Sequence, residues 1–254
     1  MSIGVIGLGR LGAALVRGLC RELRDDVIYG YNRTAEKGLV LKKQAVGFQL
    51  CGSETEVLKL CDVVFLWTKP QDAINIMEKN ADLIRKQQPL LVSSTLNVPL
   101  SDYTTRWAEC FPNVNMPVGK GVTVIHYASS LSDADRTLLQ NILNEVGSVY
   151  AVSAEDMSYY SALCSCGPAL YATMLEMMAD IMASHREYDR ETCRRMVRET
   201  VLGTLLLQEH DKIDASEVVY RVAHPGGSTE PGVNYLRSNF SEFYETMLKA
   251  MKKW

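Results

Sequence analysis

The chain lacks any strong excess of charge: 27 basic against 30 acidic residues leave a formal net charge of -3. That excludes nucleic acid and an anionic membrane surface as expected partners. No apolar run is long and uncharged enough to span a bilayer. The most apolar stretch, Tyr159–Ser184, contains Glu176, Asp180 and the Gly167-Pro168 pair, which argue against a membrane span. No signal-peptide pattern is read. The seven cysteines are odd in number and irregular in spacing, so they form no disulfide framework and read as reduced thiols of a cytoplasmic protein. A metal-ligand set is missing too. Cys164-Ser165-Cys166 is too close for a good zinc pair and has no Cys or His partner at ligand spacing, while His126, His185 and His210 follow no partner pattern and read as structural. Internal repeats and low-complexity segments are also absent. What remains, 254 residues that are 47% hydrophobic and 22% charged, suits a soluble protein of one or two domains with ample core.

Over roughly the first 150 residues, short β-rich runs alternate with helical ones. Ser2–Gly7 precedes Arg10–Leu23, Asp26–Asn32 precedes Thr34–Gln44, and Asp62–Thr68 precedes Gln71–Lys86. Pro89–Thr95 precedes Pro99–Trp107. The short runs Glu109–Val114 and Gly121–Tyr127 then lead to a capped helix over Asp133–Gly147 and a last run, Ser148–Val152. Such alternation predicts a mostly parallel sheet covered on both faces. Beyond Ser153 the β signal disappears, and helices are expected over Asp156–His185, Asp189–His210, Ala215–Arg221 and Gly232–Lys253. In the first of these, Met174, Met177, Met178 and Met182 recur at helical spacing, as in a core or a subunit interface. The domains are therefore placed at 1–153 and 154–254.

Gly7-Leu8-Gly9-Arg10-Leu11-Gly12 follows an apolar strand and opens a helix, the context in which a GxGxxG turn binds a dinucleotide. The glycines permit a tight turn and close approach of a pyrophosphate, and the helix N-terminus supplies N–H donors. At the end of the second strand, where NAD enzymes place an acid on the ribose 2′-hydroxyl, the chain has Asn32-Arg33-Thr34. No carboxylate repels a 2′-phosphate there, and Arg33 can pair with one. NADPH is thus expected over NADH, with NAD as the second nucleotide the fingerprint admits. Thr68, Lys69, Pro70 and Gln71 fall at the carboxyl edge of the next strand, where ligands bind in open α/β sheets. Lys69 either meets cofactor oxygens or faces water; its position alone does not decide.

These pieces occur in one order with Phe111-Pro112-Asn113, Gly119-x-Gly121-x-Thr123, Gly167-Pro168-Ala169, Met196–Thr204 and Pro225-Gly226-Gly227-Ser228-Thr229. The order and spacing resemble the pyrroline-5-carboxylate reductase family over nearly the whole chain. The resemblance implies an α/β fold class: an N-terminal Rossmann dinucleotide-binding domain followed by an all-α dimerisation domain, through which subunits interlock as homodimers that in the family often assemble further into rings. It implies NAD(P)H-dependent reduction of a small anionic cyclic imine, 1-pyrroline-5-carboxylate, to L-proline, and it places Asn113 with the cofactor residues. It also implies that Pro225–Thr229 wraps the substrate, its amides holding the carboxylate and Thr229 reaching the ring nitrogen.

Several positions depart from the family. His224, after Ala223, stands where a serine helps bind the carboxylate. Cys164-Ser165-Cys166, Ser94-Thr95-Leu96 and Glu199 replace the usual Ser-Gly-Ser, Ala-Ala-Gly and Gln. Thr229 is the expected donor to the imine nitrogen. His224 is either a second proton donor, since histidine titrates near pH ~6.5, or a plain surface loop residue. Two further readings compete: a related reductase of another small imine or carbonyl acid, and a non-catalytic NADP-binding regulatory protein. A β-hydroxyacid dehydrogenase opens on a similar turn but expects a catalytic lysine on the interdomain helix, and Asp156–Ser184 contains no lysine.

Overall fold

The computed structural model describes residues 1–95, 98–185 and 189–251. The backbone forms two compact units, residues 1–168 and residue 169 onward.

The first unit is built on eight strands: β1 (Ile3–Ile6), β2 (Ile28–Tyr31), β3 (Phe48–Leu50), β4 (Val63–Leu66), β5 (Leu90–Ser93), β6 (Trp107–Phe111), β7 (Gly121–Tyr127) and β8 (Gly147–Ala151). They lie in the order β3-β2-β1-β4-β5-β6-β7-β8, with every pair parallel except β6–β7. Helices α1 (Arg10–Glu22), α2 (Ala35–Gln44), α3 (Glu54–Leu60), α4 (Pro70–Lys79), α5 (Ala81–Gln87), α6 (Asp133–Asn144) and α7 (Met157–Ser161) accompany the strands. β1 and β4 are buried at every position, so their sequences are apolar throughout rather than alternating. The two-residue period of the strands divides the core. Val5 and Phe65 pack with Leu15 and Leu19 of α1, Leu41 of α2 and Ile142 of α6. Ile6, Val64 and Leu66 pack with Val57 of α3, Met77 of α4 and Ile84 of α5. Each such side chain contributes about 1.5–3 kcal/mol of apolar burial.

The strand order reverses beside β1, whose neighbours are β2 and β4. The carboxyl ends of β1 and β4 therefore border a crevice that no crossover helix fills, the usual ligand position in a doubly wound sheet.

Four details differ from the sequence expectations. The helix expected over Gln71–Lys86 is two, α4 and α5, parted at Asn80, whose side-chain amide donates to the Ile76 carbonyl at 2.7 Å and departs from helical geometry. Pro99–Trp107 holds only a single 3₁₀ turn, Leu100–Asp102. β3 and α3 were not anticipated, although Ser53 and Glu56 carry the capping-box spacing: the Glu56 N–H donates to Ser53 Oγ at 3.1 Å. The helix expected from Asp156 to His185 breaks into α7 and α8 (Gly167–His185). Pro168 has no N–H and is tolerated only in a first turn, so it starts a helix rather than continuing one.

In the second unit α8 continues beyond Pro168 and is followed by α9 (Arg190–Asp211), α10 (Ala215–Val222) and α11 (Glu230–Ala250). Asp189 caps α9 by accepting from the Thr192 N–H at 2.9 Å, and Asp214 caps α10 by accepting from Glu217 N–H at 3.0 Å. Arg194 donates from α9 to Glu176 of α8 at 2.8 Å. The expected end of the last helix, Lys253, lies outside the described residues. Among the described residues no helix is long and apolar enough to cross a membrane.

Candidate functional site

The carboxyl ends of β1, β2 and β4 border a cleft of about 460 Å³. Gly7 leaves β1 at φ +101°, in the left-handed region, and an added Cβ there would strike the Trp67 carbonyl. A Cβ at Gly12 would strike the Gly7 carbonyl, whereas one at Gly9 would meet nothing within 4 Å. Gly7 and Gly12 are therefore required by the turn, and Gly9 leaves open room above it. Gly9 also stands at the N-cap of α1 with no side-chain cap, so the first N–H groups of that helix remain available as donors. This is the cradle a pyrophosphate fits. The Leu8 N–H donates to Asn32 Oδ1 at 2.9 Å, and Asn32 Nδ2 donates to the Thr34 carbonyl at 2.9 Å. Asn32 thus ties the glycine turn to the end of β2.

Of the expected cofactor residues, Gly7, Gly9, Asn32, Arg33, Thr34, Thr68 and Lys69 line this cleft. Leu8, Arg10, Leu11, Gly12 and Pro70 belong to the turn and to the first turns of α1 and α4 without lining it. Leu8 is buried in the core and Arg10 is exposed. Asn113 is not brought there. Its buried side chain accepts from the Asn115 N–H at 3.1 Å and the Val122 N–H at 3.2 Å, and donates to the Cys164 carbonyl at 3.3 Å. Both ends of the amide thus brace the loop after β6.

Folding adds residues that sequence reading did not single out. Lys37, in the first turn of α2, lines the cleft with Asp72, Asn75, Glu54 and Lys79. Four cationic and two acidic side chains therefore face the space. Arg33, 82% exposed at its side chain, donates to Asp72 Oδ1 at 3.0 Å. Lys79 Nζ donates to Glu54 Oε1 at 2.5 Å. Burial raises the Glu54 carboxyl, but the Lys79 hydrogen bond and charge, with a hydrogen bond from Tyr31, outweigh it and hold the group below its ordinary range. Lys37 was findable as the next cation after Arg33, in the first turn of the helix that follows β2; Asp72 and the Glu54–Lys79 pair come from distant sequence and had no local signal.

The positions that depart from the family pattern fall in several places. Thr95 Oγ1 donates to the Thr68 carbonyl at 3.2 Å, beside the cleft; Leu96 lies outside the described residues. Cys164–Cys166 form the turn between α7 and α8, with the Cys166 N–H on the Ser161 carbonyl at 3.0 Å. Glu199 is exposed on α9, where it lines a separate cavity with Arg195 and Arg198.

The Pro225–Thr229 loop connects α10 to α11 in the second unit. Gly226 adopts φ +77°, and its N–H donates to Glu230 Oε2 at 2.8 Å. The Gly227 N–H donates to the His224 carbonyl at 3.0 Å. The His224 ring lies over Gly227, whose missing Cβ would sit 2.9 Å from Nε2. Thr229 is the N-cap of α11 but makes no side-chain cap; its exposed hydroxyl is not committed to the helix. Pro225, Gly226, Ser228 and Thr229 are exposed, and Gly227 is partly so.

Comparison with known proteins gives two regional matches and several full-length ones. Residues 154–254 match the family described as pyrroline-5-carboxylate reductase dimerisation, and residues 2–97 match the family described as NADP oxidoreductase, coenzyme F420-dependent. The pyrroline-5-carboxylate reductase of Aquifex aeolicus is 24% identical over 93% of this chain and 89% of its own length. A pyrroline-5-carboxylate reductase structure from Coxiella burnetii superposes with TM-score 0.86 at 24% identity, covering 98% of this chain and 94% of that one. The Plasmodium falciparum pyrroline carboxylate reductase, solved with NADP bound, gives TM-score 0.79 at 20% identity over 99% of this chain and 94% of that one. The parallel sheet with its glycine turn, the helical region that follows and the full-length likeness agree: the chain belongs to the pyrroline-5-carboxylate reductase family.

Proposed function

We propose that the protein reduces 1-pyrroline-5-carboxylate to L-proline with NADPH. The observation that carries this reading is the cleft itself: an open glycine turn at an uncapped helix N-terminus, with Arg33 just after β2 in place of an acid and Lys37 in the first turn of α2. Those residues fit a dinucleotide bearing a 2′-phosphate. Gly7, Gly9 and the first amides of α1 hold the pyrophosphate, and Arg10 complements its charge. A cation in the first turn opposes the helix dipole, so Arg10 fits its place better with an anion beside it. Arg33 and Lys37 take the 2′-phosphate, Asn32 and Thr34 shape that end, and Thr68, Lys69 and Pro70 border the cofactor on the β4 side. Asn113 acts from a distance, by bracing the loop after β6.

NADPH supplies the hydride that reaches the imine carbon. The protein's part is to position the ring and keep its nitrogen protonated, because the protonated imine is the electrophile. Thr229 donates to that nitrogen as hydride addition gives back its lone pair, and His224 at the same loop is the candidate proton source. Pro225, Gly226, Gly227 and Ser228 form the wall that receives the substrate carboxylate through backbone N–H groups. In this reading the cofactor domain spans 1–153, and residues 154–254 carry dimerisation and the substrate loop.

The test is consumption of NADPH with pyrroline-5-carboxylate by the wild type, Thr229→Val and His224→Ser. Proline formation by the wild type supports the reading. Activity confined to His224→Ser assigns the natural protein a different small imine. Tight NADPH binding with no reduction by any variant leaves a non-catalytic NADP-binding protein.

A further inference from the structure

The substrate loop already holds a carboxylate. Glu230, the first residue of α11, turns back four residues and accepts the Gly226 N–H at 2.8 Å. The adjacent Gly227 N–H is taken by the His224 carbonyl at 3.0 Å. Two of the loop's amides are therefore engaged within the chain. Pro225 and Pro231 have no N–H to offer, and among the described residues the Ser228 and Thr229 N–H groups have no protein acceptor. An acid in a first turn is ordinarily explained by the helix dipole. Here the carboxylate goes further: it reaches outside its helix to the one loop glycine held at positive φ.

We propose that Glu230 is a specificity-determining residue of the Pro225–Thr229 loop, an internal anion that competes with the carboxylate of an incoming imine. The proposal rests on the reading of this loop as the substrate wall. A carboxylated ring must displace Glu230 from Gly226 or approach beside it against like charge. A ring of the same size without a carboxylate meets neither cost. The loop therefore narrows the advantage that carboxylated imines would otherwise have over rings of low charge.

Glu230→Gln separates charge from geometry, since its amide oxygen still accepts the Gly226 N–H. Steady-state kinetics with saturating NADPH would compare pyrroline-5-carboxylate with 1-pyrroline, the parent ring without the carboxylate. Glu230→Gln is expected to lower KM for the carboxylated imine about three- to fivefold, the scale of one exposed charge–charge interaction, and to leave KM for 1-pyrroline in place. Glu230→Ala, which also removes the acceptor, should shift the same KM ratio in the same direction. Equal KM ratios in wild type and Glu230→Gln, or parallel changes for both imines, overturn the proposal and leave Glu230 a loop brace. Consumption of NADPH with neither imine by any of the three proteins is a distinct result: it removes the substrate-loop reading, and this proposal with it.

Discussion

On the proposed reading Arg33 carries the choice of cofactor, and its partner Asp72 tempers it. The Arg33–Asp72 pair is exposed and weak in itself, so a 2′-phosphate can take Arg33 from it. Arg33→Ala should weaken NADPH binding about tenfold or more, the scale of a lost charge-assisted pair, with NADH little changed. Asp72→Asn should tighten NADPH about two- to threefold by removing the competing acid, and should do nothing in an Arg33→Ala background. Isothermal titration of both nucleotides checks all of this; equal losses for both cofactors in Arg33→Ala would remove Arg33 from the 2′-phosphate site. Thr229→Val keeps the side-chain shape and removes the donor. On the proposed reading it should lower kcat more than it raises KM, because its bond to the nitrogen strengthens as hydride addition returns the nitrogen's lone pair in the transition state; a pure KM effect would make Thr229 a binding residue only. Arg33 was legible in the sequence because it follows a strand in the fingerprint. Asp72 was not, because it reaches Arg33 from α4.

At the scale of elements, a part-buried ion pair ties the start of β6 to α6. Arg106, just before β6, donates from both ends of its guanidinium to Asp135, at 3.0 and 2.6 Å. Asp135 also accepts from Ser132 Oγ at 3.0 Å, and its own N–H donates back to that oxygen at 3.1 Å, which caps α6. The Arg106 hydrogen bonds, and then Ser132, hold the Asp135 carboxyl below its ordinary range against its burial. A folded value below the unfolded ~3.9 adds stability that is fully present above pH ~4 and is lost as pH falls through the folded value. Asp135→Asn should therefore cost about 1–2 kcal/mol at neutral pH, discounted for the partly exposed arginine. The gap between variant and wild type should narrow in urea unfolding below pH ~4. A gap that is constant with pH would assign the loss to the cap alone. The cap was readable from Ser132 and the acids after it, but the ion pair joins residues 29 apart and needed the fold.

For the whole molecule, the apolar faces of the second unit set the expectation. Met177, Ile181 and Met182 on α8, Leu202, Leu205 and Leu206 on α9, and Phe240 and Phe243 on α11 are exposed on the single chain. Isolated exposed apolar residues are ordinary, but a concentration on three helices marks an association surface. With the dimerisation-family match over residues 154–254, a homodimer through this region is predicted. Sedimentation at micromolar concentration should give a dimer, and Ile181→Glu with Leu205→Glu should give a monomer that keeps NADPH binding. A wild-type monomer, or a dimer that survives both charges, would reject this interface.

The sequence by itself determined the alternation that makes a parallel sheet, the glycine turn, the change to an all-helical region and the loop before the last helix. These are local: strand and helix periods, φ > 0 at glycine and the first-turn preference of proline act within a few residues. Even here the local signals were incomplete, since Pro168 divided one expected helix and Asn80 another. Only the tertiary structure decided which charges face the cleft, that Asn113 is spent on bracing its loop, that Arg33 is shared with Asp72, and that Arg106 reaches Asp135. Each of these is a meeting of side chains from separate elements. Hydrogen bonds and Coulomb interactions act over a few ångströms, and the folded sheet, rather than the order of residues, sets those distances.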